Sequence, residues 1–131
     1  MCLPEIAKNR CIGVGFCDAS VPLKYLPGWH TGSWGYQGNV GNTSYGEGYT
    51  KYGPTVITGD IVGCCIDFQK RVAFYTKNGD LLDVAFENLV FKENIYPVVG
   101  LMSLGEHIHV NFGKESFLFD IMKYIARPSL F

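Results

Sequence analysis

From Gly59 to Phe86 the chain alternates apolar runs with two short polar breaks, a pattern that predicts three consecutive antiparallel strands. Ile61 to Phe68 is apolar except for Asp67, which suits a strand buried on both faces. After Gln69-Lys70-Arg71, Val72 to Thr76 is again β-branched and aromatic. Asn78-Gly79 then stands between Lys77 and Asp80. Both residues tolerate the positive φ of a type I′ turn, so the dipeptide predicts a tight hairpin into Asp80 to Phe86.

The rest of the chain carries shorter signals. Residues 1–10 are polar, contain Pro4 and predict at most a weak strand. Cys11 to Phe16 alternates Ile12, Val14 and Phe16 with Cys11, Gly13 and Gly15, a strand whose small face admits a neighbouring backbone. A long loop with two prolines runs from Asp18 to Gly32. Ser33 to Gln37 then predicts a short strand with Trp34 and Tyr36 on one face, more core than contact surface. Gly38 to Pro54 interleaves glycines with Tyr45, Tyr49 and Tyr52, which suits a structured loop with an irregular strand around Ser44-Tyr45. Glu87 to Asn94 reads as a charged connection, and Tyr96 to Met102 as a buried strand entered at Pro97. His107 to Phe112 alternates polar and apolar residues, as a strand with one wet and one dry face does. Phe117 to Arg127 holds one short helix, with Asp120 as its N-cap and Pro128 as its stop. The order of elements predicts an all-β sandwich or barrel of a single domain.

Composition narrows the class. A chain of 131 residues that is 47% hydrophobic can build one core. A net charge of −1 with no Lys/Arg cluster argues against nucleic acid or an anionic membrane as partner. No run approaches the ~20 apolar residues that span a bilayer, and the first ten residues lack a signal-peptide core. Five cysteines, with Cys64 and Cys65 adjacent, do not suit a disulfide framework, so a reduced cytoplasmic or nuclear compartment is expected.

The blocks LPGWHTGSWGYQGNVG (26–41), YGPTVITGDIVGCCIDF (52–68), FYTKNGDLLDVAF (74–86), YPVVGL (96–101) and HVNFG (109–113) together resemble a SPRY domain. The subtype is similar to the Ran-binding-protein scaffold of GID/CTLH-type ubiquitin ligases, and FLFDIMKYI (117–125) resembles the segment that follows the domain there. The resemblance implies a bent antiparallel β-sandwich over residues 11–116, followed by a short helix and tail over 117–131. It implies no catalysis and no cofactor. It implies peptide binding through rim loops, with Tyr45 where relatives place a pocket aromatic. The turn Met102-Ser103-Leu104-Gly105 stands where they place further pocket residues, although the tryptophan some carry near Ser103-Leu104 is absent. A YFEV-like strand of the family has no match in residues 1–10, and a second copy adding a strand at the edge so exposed would give a homodimer.

The residues themselves offer few rival chemistries. His107 and His109 have the i, i+2 spacing of two metal ligands but no third ligand in sequence, so a solvated strand face is expected and no metal. Cys64 and Cys65 lie in an apolar run without a nearby cation, where a thiol stays protonated, as core cysteines. GNVGNTSYGEG (38–48) lacks the Lys-Ser/Thr ending and the following helix of a phosphate loop. Tyr45 and Tyr49 are candidates for ligand contact, as tyrosines beside small residues. The turn 102–105 is a candidate too, against a plain β-turn. An interaction module for short linear peptides of partner proteins, acting as adaptor or substrate-recognition surface, is the leading expectation. A carbohydrate or small-molecule binder using the same aromatics, or a shortened SPRY copy without binding function, are the alternatives.

Overall fold

The computed structural model describes residues 12–46, 48–102 and 104–126, so the expectations for residues 1–10, for Ser103 and for the tail beyond Ala126 lie outside the described residues. Among the described residues, eight strands and one helix follow in order: β1 Ile12–Asp18, β2 Ser33–Gln37, β3 Asn42–Tyr45, β4 Thr50–Lys51, β5 Val62–Asp67, β6 Val72–Lys77, β7 Asp80–Phe86, β8 Ile95–Leu101 and α1 Ile121–Ile125. They form a five-stranded sheet, β4-β3-β2-β1-β8, and a three-stranded sheet, β5-β6-β7, with every pairing antiparallel. The fold class is all-β, as expected, and matches a SPRY β-sandwich. The chain divides into two compact units, one holding the described residues up to Thr58 together with Val90–His107, the other Gly59–Leu89 with Ile108 onward.

In the first unit the alternation along β1 sorts its two faces. Gly13, Gly35 and Gly100 fall on one face, and the Leu26-Pro27 segment lies directly over them. At Gly35 an added Cβ would run into the Pro27 carbonyl, so only glycine lets the loop lie this close. The same contact is satisfied as well as tight. Gln37 Nε2 donates to Pro27 O at 2.7 Å, the Gly28 amide to Ser33 Oγ at 2.7 Å, and Ser44 Oγ to Gln37 Oε1 at 2.9 Å. These polar side chains are buried, and each has a hydrogen-bond partner. On the other face stand Phe16, Trp34 and Tyr36, all buried, and the Tyr36 hydroxyl donates to the Pro54 carbonyl.

In the second unit the hairpin forms where Asn-Gly predicts it, with φ of 51° at Asn78 and 87° at Gly79. Asn78 also ties the start of β5: its amide donates to Ile61 O at 2.7 Å, and its Oδ1 accepts from the Ile61 amide at 2.8 Å. Helix α1 begins at Asp120, whose carboxylate accepts from the Lys123 amide at 3.0 Å. Tyr124 is its buried residue, with its ring 5.0 Å from that of Phe74.

Four expectations are corrected. In the second unit the strand buried on both faces is β6, where Ala73 to Thr76 are all buried; β5, expected in that role, is an edge strand. An apolar run shows that a strand avoids water but not which strand takes the centre. Cys64 and Cys65 are accordingly not both core: Cys64 is exposed and Cys65 half-buried. Strand β8 does form over YPVVGL, but it too is an edge, with Tyr96, Pro97, Val99 and Leu101 exposed. Residues 107–112 form no strand. Alternation makes a segment amphipathic, but a strand also needs a neighbour for its amides. Here Asn111 builds a turn instead, accepting from the Gly113 amide at 2.9 Å and the Glu115 amide at 3.2 Å.

Candidate functional site

Register places Phe16, Trp34 and Tyr45 in one row across β1, β2 and β3, on a single face. Their rings stack in series: Phe16 on Trp34 at 5.1 Å and 16°, Trp34 on Tyr45 at 4.7 Å and 13°. Phe91 closes the row from the side, edge-on to Phe16 at 6.0 Å and to Trp34 at 5.5 Å. Exposure rises along the row, from 2% at Phe16 and 8% at Trp34 to 47% at Tyr45. The last ring is therefore clamped on one side and open to water on the other. A side chain held in this way loses little freedom when it gains a partner.

The other expected contact residues are distributed differently. Tyr49 lies in the β3–β4 connection and is largely exposed. Met102 and Leu104 are exposed, and Gly105 takes a positive φ of 80° in a turn. Tyr45 sits level with Trp34, Phe16 and Pro97, whereas Leu101, just before Met102, pairs with Ile12 near the opposite end of β1. Four residues of strand, roughly 13 Å, separate those levels, and β1 and β2 lie between β3 and β8. The structure thus brings Tyr45 together with Trp34, and not with Met102, Leu104 and Gly105. Phe91 was missed in sequence because it stands among charges in FENLVFKEN. The signal that could have found it is the apolar trio Leu89-Val90-Phe91 inside that connection.

Titratable groups offer no activated nucleophile among the described cysteines. All three thiols are shifted upward, Cys17 and the half-buried Cys65 chiefly by burial, Cys65 to about 11. No group of three or more metal-ligating side chains occurs among the described residues, and His107 and His109 are both exposed. In the second unit Asp67 is shifted down, chiefly by the Lys70 amide donating at 2.9 Å, and also by the Tyr124 hydroxyl at 2.8 Å. Tyr124 is pushed up to about 12 by burial first and by Asp67 second. The Tyr124–Asp67 bond ties α1 to the end of β5.

Two antiparallel sheets with a braced aromatic beside a glycine-rich connection define a β-sandwich domain of the binding kind. The family model described as the SPRY domain matches residues 4–115, and the chain belongs to that family. A solved human SPRY domain aligns with a TM-score of 0.62 at 27% identity, covering 72% of this chain and 62% of that one. Human Ran-binding protein 9 is 43% identical over 92% of this chain and 17% of its own length. The Ran-binding proteins 9/10 homolog of Drosophila melanogaster is 46% identical over 86% and 12%, and the Ran-binding protein M homolog of Arabidopsis thaliana 34% identical over 88% and 24%. The chain therefore spans less than a quarter of the length of these relatives. SPRY domains are protein-interaction modules. No helix among the described residues is long and apolar enough to cross a membrane.

Proposed function

We propose that this SPRY domain is a non-catalytic module that binds short linear segments of partner proteins, with Tyr45 as its anchor. The observation that carries the proposal is the stacked row: a half-exposed tyrosine on a buried tryptophan at 4.7 Å. An incoming apolar side chain would lie against that ring, while backbone groups of the glycine-rich connection orient the peptide main chain. Tyr49, in the same connection, contributes a second contact. Met102, Leu104 and Gly105 belong to a separate contact at the far end of the sheet, which a longer ligand would reach. A role as recognition surface in a ubiquitin-ligase assembly, in the cytoplasm or nucleus, is proposed on the likeness to the Ran-binding relatives alone. No cofactor, metal, nucleic acid or membrane enters this reading.

A peptide array compared with a glycan array tests the ligand class. Selective retention of peptides, lost on Tyr45→Ala and kept in a Leu104→Ala variant for short ligands, supports the proposal. Binding of glycans alone, or peptide binding indifferent to Tyr45, overturns it.

A further inference from the structure

Among the described residues each sheet ends in two outer edges, and three of the four are blunted. β4 is two residues long and includes Lys51. In β8 the pairs Gly13–Gly100, Gly15–Val98 and Cys17–Tyr96 face β1, because Ile12 and Asp18 bond on the β2 side. Ile95, Pro97, Val99 and Leu101 consequently face outward, and Pro97 has no N–H to offer at the middle of that edge. β7 carries Asp83 and loses register opposite Phe74.

β5 has none of these devices. Ile61 bonds to Asn78, so Gly63, Cys65 and Asp67 face β6, while the amides and carbonyls of Val62, Cys64 and Ile66 face away from the sheet. The strand VGCCID has no proline and no basic residue, and its one charge, Asp67, is engaged by the Lys70 amide and the Tyr124 hydroxyl. Such an edge accepts another strand readily.

We propose that this edge of β5 is where two copies of the chain associate, antiparallel, about a two-fold axis at Cys64. The argument for a second copy is that β5 is complementary to itself. Centred on Cys64, the pairing runs over Val62–Ile66, sets Val62 against Ile66 of the second copy at both ends, and opposes no two like charges. Asp67 falls opposite Ile61. Phe68, 64% exposed, lies on the same side as Val62, Cys64 and Ile66 and would extend their apolar row. The pairing uses no residue of the Tyr45 row and is independent of the proposed function.

Sedimentation of the whole chain from about 10 µM to about 1 mM tests it, a range suited to weak association through one strand. The weight-average mass is expected to rise from monomer toward dimer. Mild oxidation is expected to trap a disulfide dimer that Cys64→Ser abolishes and Cys65→Ser retains, since Cα atoms of a hydrogen-bonded antiparallel pair stand about 5.5 Å apart, within disulfide reach. Two double variants share any cost to folding. Val62→Lys with Ile66→Lys sets cation against cation and should stay monomeric, whereas Val62→Lys with Ile66→Glu sets opposite charges together and should associate at least tenfold more tightly. Monomer at every concentration, equal behaviour of the two doubles with melting unchanged, or a dimer trapped only through Cys65 would overturn the proposal. An edge that instead accepts an unrelated extended peptide, while the chain stays monomeric, would also do so.

Discussion

Tyr45 illustrates what a single side chain can and cannot announce. In sequence it is one of three tyrosines among glycines; in the fold it alone of the three stacks on Trp34 while remaining half open. Tyr52 instead meets Tyr36 edge-on at 5.4 Å. Truncating Tyr45→Ala is expected to weaken peptide binding about 10–100-fold, as loss of an interface anchor does, with calorimetric titration as the measurement. Removing the stacked pair should also cost about 0.5–1.5 kcal/mol of stability, so Tyr45→Phe is the informative companion: it keeps the stack and isolates the hydroxyl. Cysteine chemistry gives a second expectation at this scale. With the half-buried Cys65 thiol pushed up to about 11, its alkylation by iodoacetamide at pH 8 should be much slower than for a free cysteine thiol. Rapid labelling of Cys65 would overturn that expectation.

At the scale of elements, the local signals were the reliable ones. Asn78-Gly79 specified its turn because positive φ is a property of those two residues and needs no distant partner. Asn78→Ala is expected to cost about 1–2 kcal/mol through the left-handed backbone alone, plus the bond to Ile61, measurable by urea unfolding. Asp120 capped α1 for a similar reason. Gly35 marks the opposite situation. Its need for glycine comes from Pro27 arriving over the sheet, so Gly35→Ala should cost about 3 kcal/mol, and thermal melting would detect it. The misjudged elements were those whose fate depends on neighbours. Residues 61–68, 96–102 and 107–112 all have strand-like patterns, yet two became edges and one no strand at all. Pattern describes a face, whereas a ladder needs a second chain segment beside it.

For the molecule as a whole, the Asp67–Tyr124 pair makes stability depend on pH at both ends. Asp67 is lowered in the folded state, so its contribution is present above the ordinary carboxylate value of about 4 and is lost as pH falls through its folded value. Tyr124 is raised, so its contribution is complete below about 10 and is lost as pH rises toward about 12. Tyr124→Phe should lower stability at neutral pH and flatten the alkaline decline; an unchanged alkaline limb would assign the decline to other groups.

From the sequence alone came the all-β class, the hairpin, the helix cap and the five blocks of SPRY likeness, because each rests on residues close together along the chain. Which strands lie central, which ring of the tyrosine-rich stretch is braced and which edge stays open were decided only in the tertiary structure. The physical reason is that burial and hydrogen-bond pairing are relations between distant segments: β1 meets β8 at pairs such as Gly13 and Gly100, almost the whole domain apart along the chain.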